Sequence, residues 1–111
     1  MSLNDLDEDV LAQFTADVGG AADELVRLFA DETRQRITRM MQADDNTKDA
    51  HSLKSTSATY GMSGLAGAAD ALETACTDGD DKRASEHLIE IETGVEEALK
   101  GLLNTLARSA N

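Results

Sequence analysis

The run Ala50-His51-Ser52-Leu53-Lys54-Ser55-Thr56-Ser57-Ala58-Thr59-Tyr60-Gly61 lies near the middle of a 111-residue chain. Wound as an α-helix, it places Ala50, Leu53, Ser57 and Tyr60 on one side, at spacings of three and four residues. His51, Lys54, Ser55 and Ala58 fall on the other. The first set can face a core. The second presents an imidazole to solvent, a cation one turn away, and two small residues where an exposed helix usually carries long ones. One face of this helix has to be covered, and the rest of the chain must supply the cover.

Downstream, a turn around Gly61-Met62-Ser63-Gly64 ends the run, and a helix over about 64–78 carries Leu65, Ala68, Ala69, Leu72, Ala75 and Cys76 at a regular three-four spacing. Asp78-Gly79-Asp80 stops it. A last helix, about 81–107, repeats the pattern with Ala84, Leu88, Ile91, Val95, Ala98, Leu102 and Leu106. Gly94 and Gly101 lie beside that stripe; each should cost about 1 kcal/mol relative to alanine, so close helix approach is the expected reason for them. Upstream, Asp44-Asp45-Asn46 breaks the chain, and Asn46 or Thr47 can cap the helix over 47–61 that carries His51. Before it a long helix over 21–43 has Ala22, Leu25, Val26, Phe29, Ile37, Met40 and Met41 as its apolar stripe, the two methionines filling gaps in the core. A short first helix over 5–18, capped by Asn4 or by Asp5 with Glu8 in a capping box, is lined by Leu6, Val10, Phe14 and Val18 and ends at Gly19-Gly20.

Composition agrees with this helical reading. The chain has no proline, only 3% aromatic residues, and apolar residues that are mostly Leu and Ala, which favour helix over strand. The expected class is all-α: an antiparallel up-down four-helix bundle with an additional short N-terminal helix, in one domain spanning residues 1–111. A single compact acidic bundle is expected to be a monomer. The acidic first residues lack the pattern of a secretory signal, and no run of about 20 apolar residues is present to span a membrane. The expected location is the cytoplasm. Cys76 is the only cysteine, which excludes an internal disulfide and a thiolate metal cluster; it reads as a small buried thiol.

The net charge of −12 argues against nucleic acid, whose phosphates need clustered Lys and Arg. The charge is uneven. Residues 27–54 hold six basic side chains (Arg27, Arg34, Arg36, Arg39, Lys48, Lys54) against five acidic ones, so this stretch is +1 and the remainder −13. Two explanations stay open: the arginines solvate a long helix, or the surface leading to His51 is kept free of acid for a partner whose own site is acidic.

Exclusion does much of the chemical work. Neither histidine has a Glu three residues before it, as a ferritin-like dimetal site requires. No positioned base or glycine-rich elbow serves a hydrolase, and no glycine-rich loop with lysine cradles a nucleotide. The chain has no visible means of starting a reaction alone, and no cofactor of its own is expected. What remains is one nucleophile on which a partner could work. An imidazole in water titrates near pH 6.5, so at neutral pH one ring nitrogen offers a lone pair for attack on phosphorus. Lys54 is on the same face and could balance the charge of a phosphoryl group, while Ser55 and Ala58 leave room for a partner to close over the ring. Spacing alone leaves His51 open between this role and that of an ordinary solvated histidine. His87, with no lysine one turn on, reads as solvated or packed; Ser57 is expected to bond back to its own helix, and Tyr60 to be a core aromatic.

The run resembles the histidine-containing phosphotransfer (HPt) domain, whose signature is approximately A-H-x-L-K-G-x-[AS]-x-x-x-G, followed by a Leu and then a Leu-Glu pair. Ala50, His51, Leu53, Lys54, Ser57, Gly61, Leu65 and Leu72-Glu73 match it, and the likeness in helix order and length extends over the whole chain. Ser55 departs from it, since the family most often has glycine there; serine is small enough to preserve access. The resemblance implies a phosphorelay intermediate. His51 would take a phosphoryl group from the aspartyl phosphate of one response-regulator receiver domain and pass it to another regulator, with a hybrid histidine kinase upstream. Lys54 would stabilise the phosphohistidine, and Glu73 would hydrogen-bond the imidazole and fix its tautomer. Magnesium would belong to the receiver. Docking would use the face shared by the second and third helices, with Ser55, Ala58, Lys48, Arg36 and Arg39 as contact candidates. Two rival readings are a helical adaptor or inhibitor that binds a kinase or receiver with His51 incidental, and the substrate domain of a chemotaxis-type kinase. With no catalytic domain after Asn111, a freestanding shuttle is the expectation.

Overall fold

The computed structural model describes residues 2–109, and among these it contains helices and no strand. The helices are α1 (Glu8–Val18), α2 (Ala22–Met40), α3 (Thr47–Thr59), α4 (Ser63–Thr77) and α5 (Asp81–Ser109), with a 3₁₀ turn at Gly19–Ala21 between the first two. Helix α3 packs most closely on α4, α4 on α5, and α2 closes the ring by contacting both α5 and α3. The result is a helical bundle. Its core is built from Val26, Phe29, Ile37 and Met40 of α2, Ala50 and Leu53 of α3, Leu65, Ala69 and Leu72 of α4, and a long row on α5 from Leu88 to Leu106.

Helix ends follow local chemistry, and here several expectations need correction. Helix α1 starts at Glu8 rather than residue 5, because the carboxylate of Asp7 accepts the backbone N–H groups of Asp9 and Val10. Neither Asn4 nor Asp5 is its cap. Its most buried residue is Leu11, outside the expected stripe, whereas Val10 is exposed. Helix α2 stops at Met40, so Met41 does not fill the core and lies 46% exposed. Asn46 does occupy the cap position of α3, but its side chain donates to the Met40 carbonyl instead, and the carboxylate of Asp45 accepts from both the backbone N–H and the hydroxyl of Thr47.

Helices α3 and α4 end alike. Gly61 has φ +76° and Gly79 φ +70°, the left-handed conformation that glycine adopts without penalty. At the first, Gly61 N–H donates to Ala58 O and Met62 N–H to Ser57 O; at the second, Gly79 N–H donates to Cys76 O and Asp80 N–H to Ala75 O. Each is the pair of reversed bonds that satisfies the last carbonyls of a helix. The α3–α4 corner also receives the N-terminal segment: Asp7 N–H donates to Gly61 O at 2.6 Å, and Gly64 N–H to Asp5 O at 3.1 Å. Tyr60 is clamped there between Phe14 of α1 and Phe29 of α2, with ring centroids 4.7 and 4.4 Å away.

The glycines of α5 do not serve close helix approach. A Cβ on Gly94 would meet the side chain of Leu3 from the N-terminal segment, and one on Gly101 would meet nothing within 4 Å. Ser57 is fully buried as expected, yet its hydroxyl has no hydrogen-bond partner among the described residues; it is Thr56 and Thr59 that bond back to their own helix. Cys76 is only half-buried, and burial pushes its thiol above the ordinary pKa.

Candidate phosphotransfer site on helices α3 and α4

Small side chains let α3 and α4 approach closely enough for short acidic groups to bridge them. Ala50 and Ser57 of α3 and Ala69 of α4 are fully buried beside Leu53, Leu65 and Leu72. On the outer edge of that seam His51 stands 63% exposed at its side chain. Its Nδ1 lies 2.7 Å from Glu73 Oε2. Glu73 keeps only 21% of its side-chain exposure. Burial pushes its pKa upward, but hydrogen bonds from Lys54 and His51 outweigh this and hold it below the ordinary glutamate range. At neutral pH Glu73 is therefore a carboxylate, which can only accept. Nδ1 must be the donor, so in the neutral ring the lone pair is on Nε2, the nitrogen away from Glu73.

Lys54 lies one turn along α3 and bridges to the same carboxylate, its Nζ 3.2 Å from Glu73 Oε1 and 3.0 Å from Asp70 Oδ1. The bonds to Asp70, then to Glu73, raise its pKa above the ordinary lysine value, so it is a cation throughout the neutral range. Ser55 and Ala58 are both exposed next to the ring. The four side chains His51, Glu73, Lys54 and Asp70 thus form one chain of bonds across the seam.

Asp70 is the member that the sequence reading missed. The signal was available: it precedes Glu73 by three residues on the same helix, so any placement of Glu73 toward α3 brings Asp70 to the same face. The other candidates lie apart from this group. Arg36 and Arg39 both reach Asp49, at 2.7 and 3.5 Å, and Lys48 is exposed. The surface beside His51 is therefore not free of acid. Asp70 and Glu73 arrive from outside the stretch whose charge was nearly balanced, and Asp49 occupies the two arginines. His87 is on α5, away from this seam, and lines shallow hollows with Arg83 and Glu90.

A cleft of about 510 Å³ is lined by Met40, Met41, Asp45, Cys76 and Leu88 near the α2–α3 turn and touches none of His51, Lys54 or Glu73. His51 stands instead on the exposed outer edge of the α3–α4 seam. Among the described residues no cluster of His, Cys, Asp and Glu could hold a metal ion, and no helix is long and apolar enough to cross a membrane.

The family model described as Hpt domain matches residues 24–109. This chain belongs to the Hpt domain family. Hpt domains take part in two-component phosphorelays, where they interact with receiver domains and histidine kinases. Comparisons with curated proteins and with solved structures found no match. The matched segment contains α3, α4 and α5 whole and all but the first residues of α2; α1 and the segment clasped to the α3–α4 corner lie before it.

Proposed function

We propose that the protein is a phosphorelay intermediate, with His51 as the phosphoacceptor. The observation that carries this reading is the bond from His51 Nδ1–H to the ionised Glu73, which in the neutral ring leaves the lone pair on Nε2 of a side chain that is 63% exposed. In the forward step Nε2 attacks the phosphorus of a receiver's aspartyl phosphate. An N–P bond forms, the P–O bond to the aspartate breaks, and the aspartate departs as a carboxylate. The Nδ1 proton stays on the ring, where Glu73 balances the positive charge that the imidazole gains. Transfer to a second receiver reverses these events. Lys54 offsets charge on the phosphoryl oxygens, and positioning supplies most of the rest. The chain needs no cofactor of its own; magnesium enters with the receiver.

Ser55 and Ala58 keep the approach to the ring low, and Lys48 and Arg39 offer charge at its margin, with Arg36 held deeper by Asp49. A monomer suffices, since every group named is on one chain. We infer an antiparallel up-down order for α2 to α5, with α1 closing one end. Connections of a few residues between helices that pack on each other support it. A cytoplasmic location agrees with receivers as partners.

Intact mass tests the reading. After mixing with a phosphorylated receiver and magnesium, the wild-type chain should gain one phosphoryl group that is labile in acid and stable in base, and His51→Gln should gain none. If neither several receivers nor a small phosphoramidate donor modifies His51, the reading fails.

A further inference from the structure

Lys54 is the only cation in the bonded group at the α3–α4 seam, and two carboxylates already hold it. Glu73 has a second task on the ring. Asp70 has none: its carboxylate, 58% exposed, contacts Lys54 at 3.0 Å and bonds to no other side chain among the described residues. We propose that Asp70 is a positioning residue that shortens the life of the phosphohistidine, by retaining Lys54 on the α4 side of the seam and away from the phosphoryl oxygens. The inference rests on the phosphotransfer reading of His51.

The physical argument is one of competition. A phosphoryl group on Nε2 brings close to two negative charges to an edge that already carries Asp70 and Glu73, with one lysine to offset all three. For Lys54 to turn fully to the phosphate it must give up Asp70, which then stands unpaired within the field of the new charge. Each effect raises the free energy of the phosphorylated state and leaves the free state, with its complete set of bonds, unaffected. The N–P bond becomes easier to break, so the phosphoryl group passes more readily to a receiver aspartate or to water. In that step Nε2 regains its lone pair, the Nδ1 proton remains with the ring and Glu73, and Lys54 returns to Asp70. A relay intermediate is served by such a device because it must give up what it accepts.

The test loads the full chain with phosphoramidate, which transfers its phosphoryl group and releases ammonia, and follows the phosphorylated fraction and its decay by intact mass at neutral pH. Asp70→Asn should lengthen the half-life of the phosphohistidine about threefold to tenfold and raise the loaded fraction at fixed donor. Asp70→Glu, which restores the charge, should return both toward wild type, a rescue that a merely structural role for Asp70 would not produce. In a Lys54→Ala background the effect of Asp70→Asn should fall to less than half, since the lysine for which Asp70 competes is gone. An unchanged or shortened half-life in Asp70→Asn overturns the proposal, and so does an equal effect with and without Lys54. A wild-type chain that takes no phosphoryl group on His51 overturns the phosphotransfer reading and this inference with it; a wild-type chain that loads normally beside an inert Asp70→Asn overturns this inference alone.

Discussion

Glu73 shows how one side chain can combine opposing effects. Burial between α3 and α4 favours its neutral form, yet the hydrogen bonds from Lys54 and His51 leave it more acidic in the fold than in the unfolded chain. The sign of the pH dependence follows. The unfolded chain binds a proton at Glu73 more tightly, so stability rises with pH through that window. The contribution is complete above the ordinary glutamate value of about 4.3 and is lost as pH falls below it, through the lower value in the fold. Melting followed by circular dichroism should show wild type above Glu73→Gln at neutral pH, with the two curves converging in acid. A gap that widened as pH fell would contradict the bonded, ionised Glu73. In the neighbouring Arg39–Asp49 pair the arginine is largely exposed, and such pairs contribute little to stability.

The α3–α4 corner is where backbone geometry and long-range packing meet. Gly61 combines a positive φ with a position where an added Cβ would lie 2.6 Å from the Asp7 carbonyl oxygen, an atom fixed by the N-terminal turn of α1. Gly61→Ala should therefore destabilise by about 1–2 kcal/mol or more, from the backbone conformation alone and then from displacement of the segment before α1. Gly101 provides the opposite case. It lies inside α5, its added Cβ meets nothing within 4 Å, and helix propensity alone should make Gly101→Ala stabilising by roughly 0.5–1 kcal/mol. Urea unfolding of both variants checks the pair, and a shared sign would refute the assignment of their different environments. The corner also explains why the helices before residue 24 matter to a family-matched bundle that starts there: Tyr60 of the matched region completes its packing against Phe14 of α1.

For the molecule as a whole, charge decides more than any single pair. The described chain measures 45 × 24 × 21 Å and the full chain carries −12. At 0.01 M salt the screening length is about 30 Å, longer than two of these dimensions, so acidic groups repel one another through the entire bundle; at 1 M it is about 3 Å. Raising sodium chloride across this range should raise Tm by several degrees, because relief of self-repulsion outweighs the weakening of exposed ion pairs. Calorimetry at a series of salt concentrations measures it, and a falling Tm would mean that the surface pairs dominate.

Local signals were sufficient for the helices. The three-four spacing of apolar residues, the breaks at Gly19, Asp44-Asp45-Asn46, Gly61 and Gly79, and the lack of proline are properties of neighbouring residues, so element order and the exposed side of α3 could be read from them. The His51 and Lys54 face needed nothing more than helical period. Contacts between segments were beyond such signals. That Gly94 makes room for Leu3, that Leu11 and not Val10 is buried, and that Asp70 joins the group at His51 all depend on which helix lies against which, and at what rotation. A periodic pattern defines a face to about one residue and says nothing of what that face will meet; a shift of one position moves a side chain by 100° around the helix axis. Only packing of small residues along the α3–α4 seam brings Glu73 to 2.7 Å from the imidazole, and with it the choice of which ring nitrogen carries the proton.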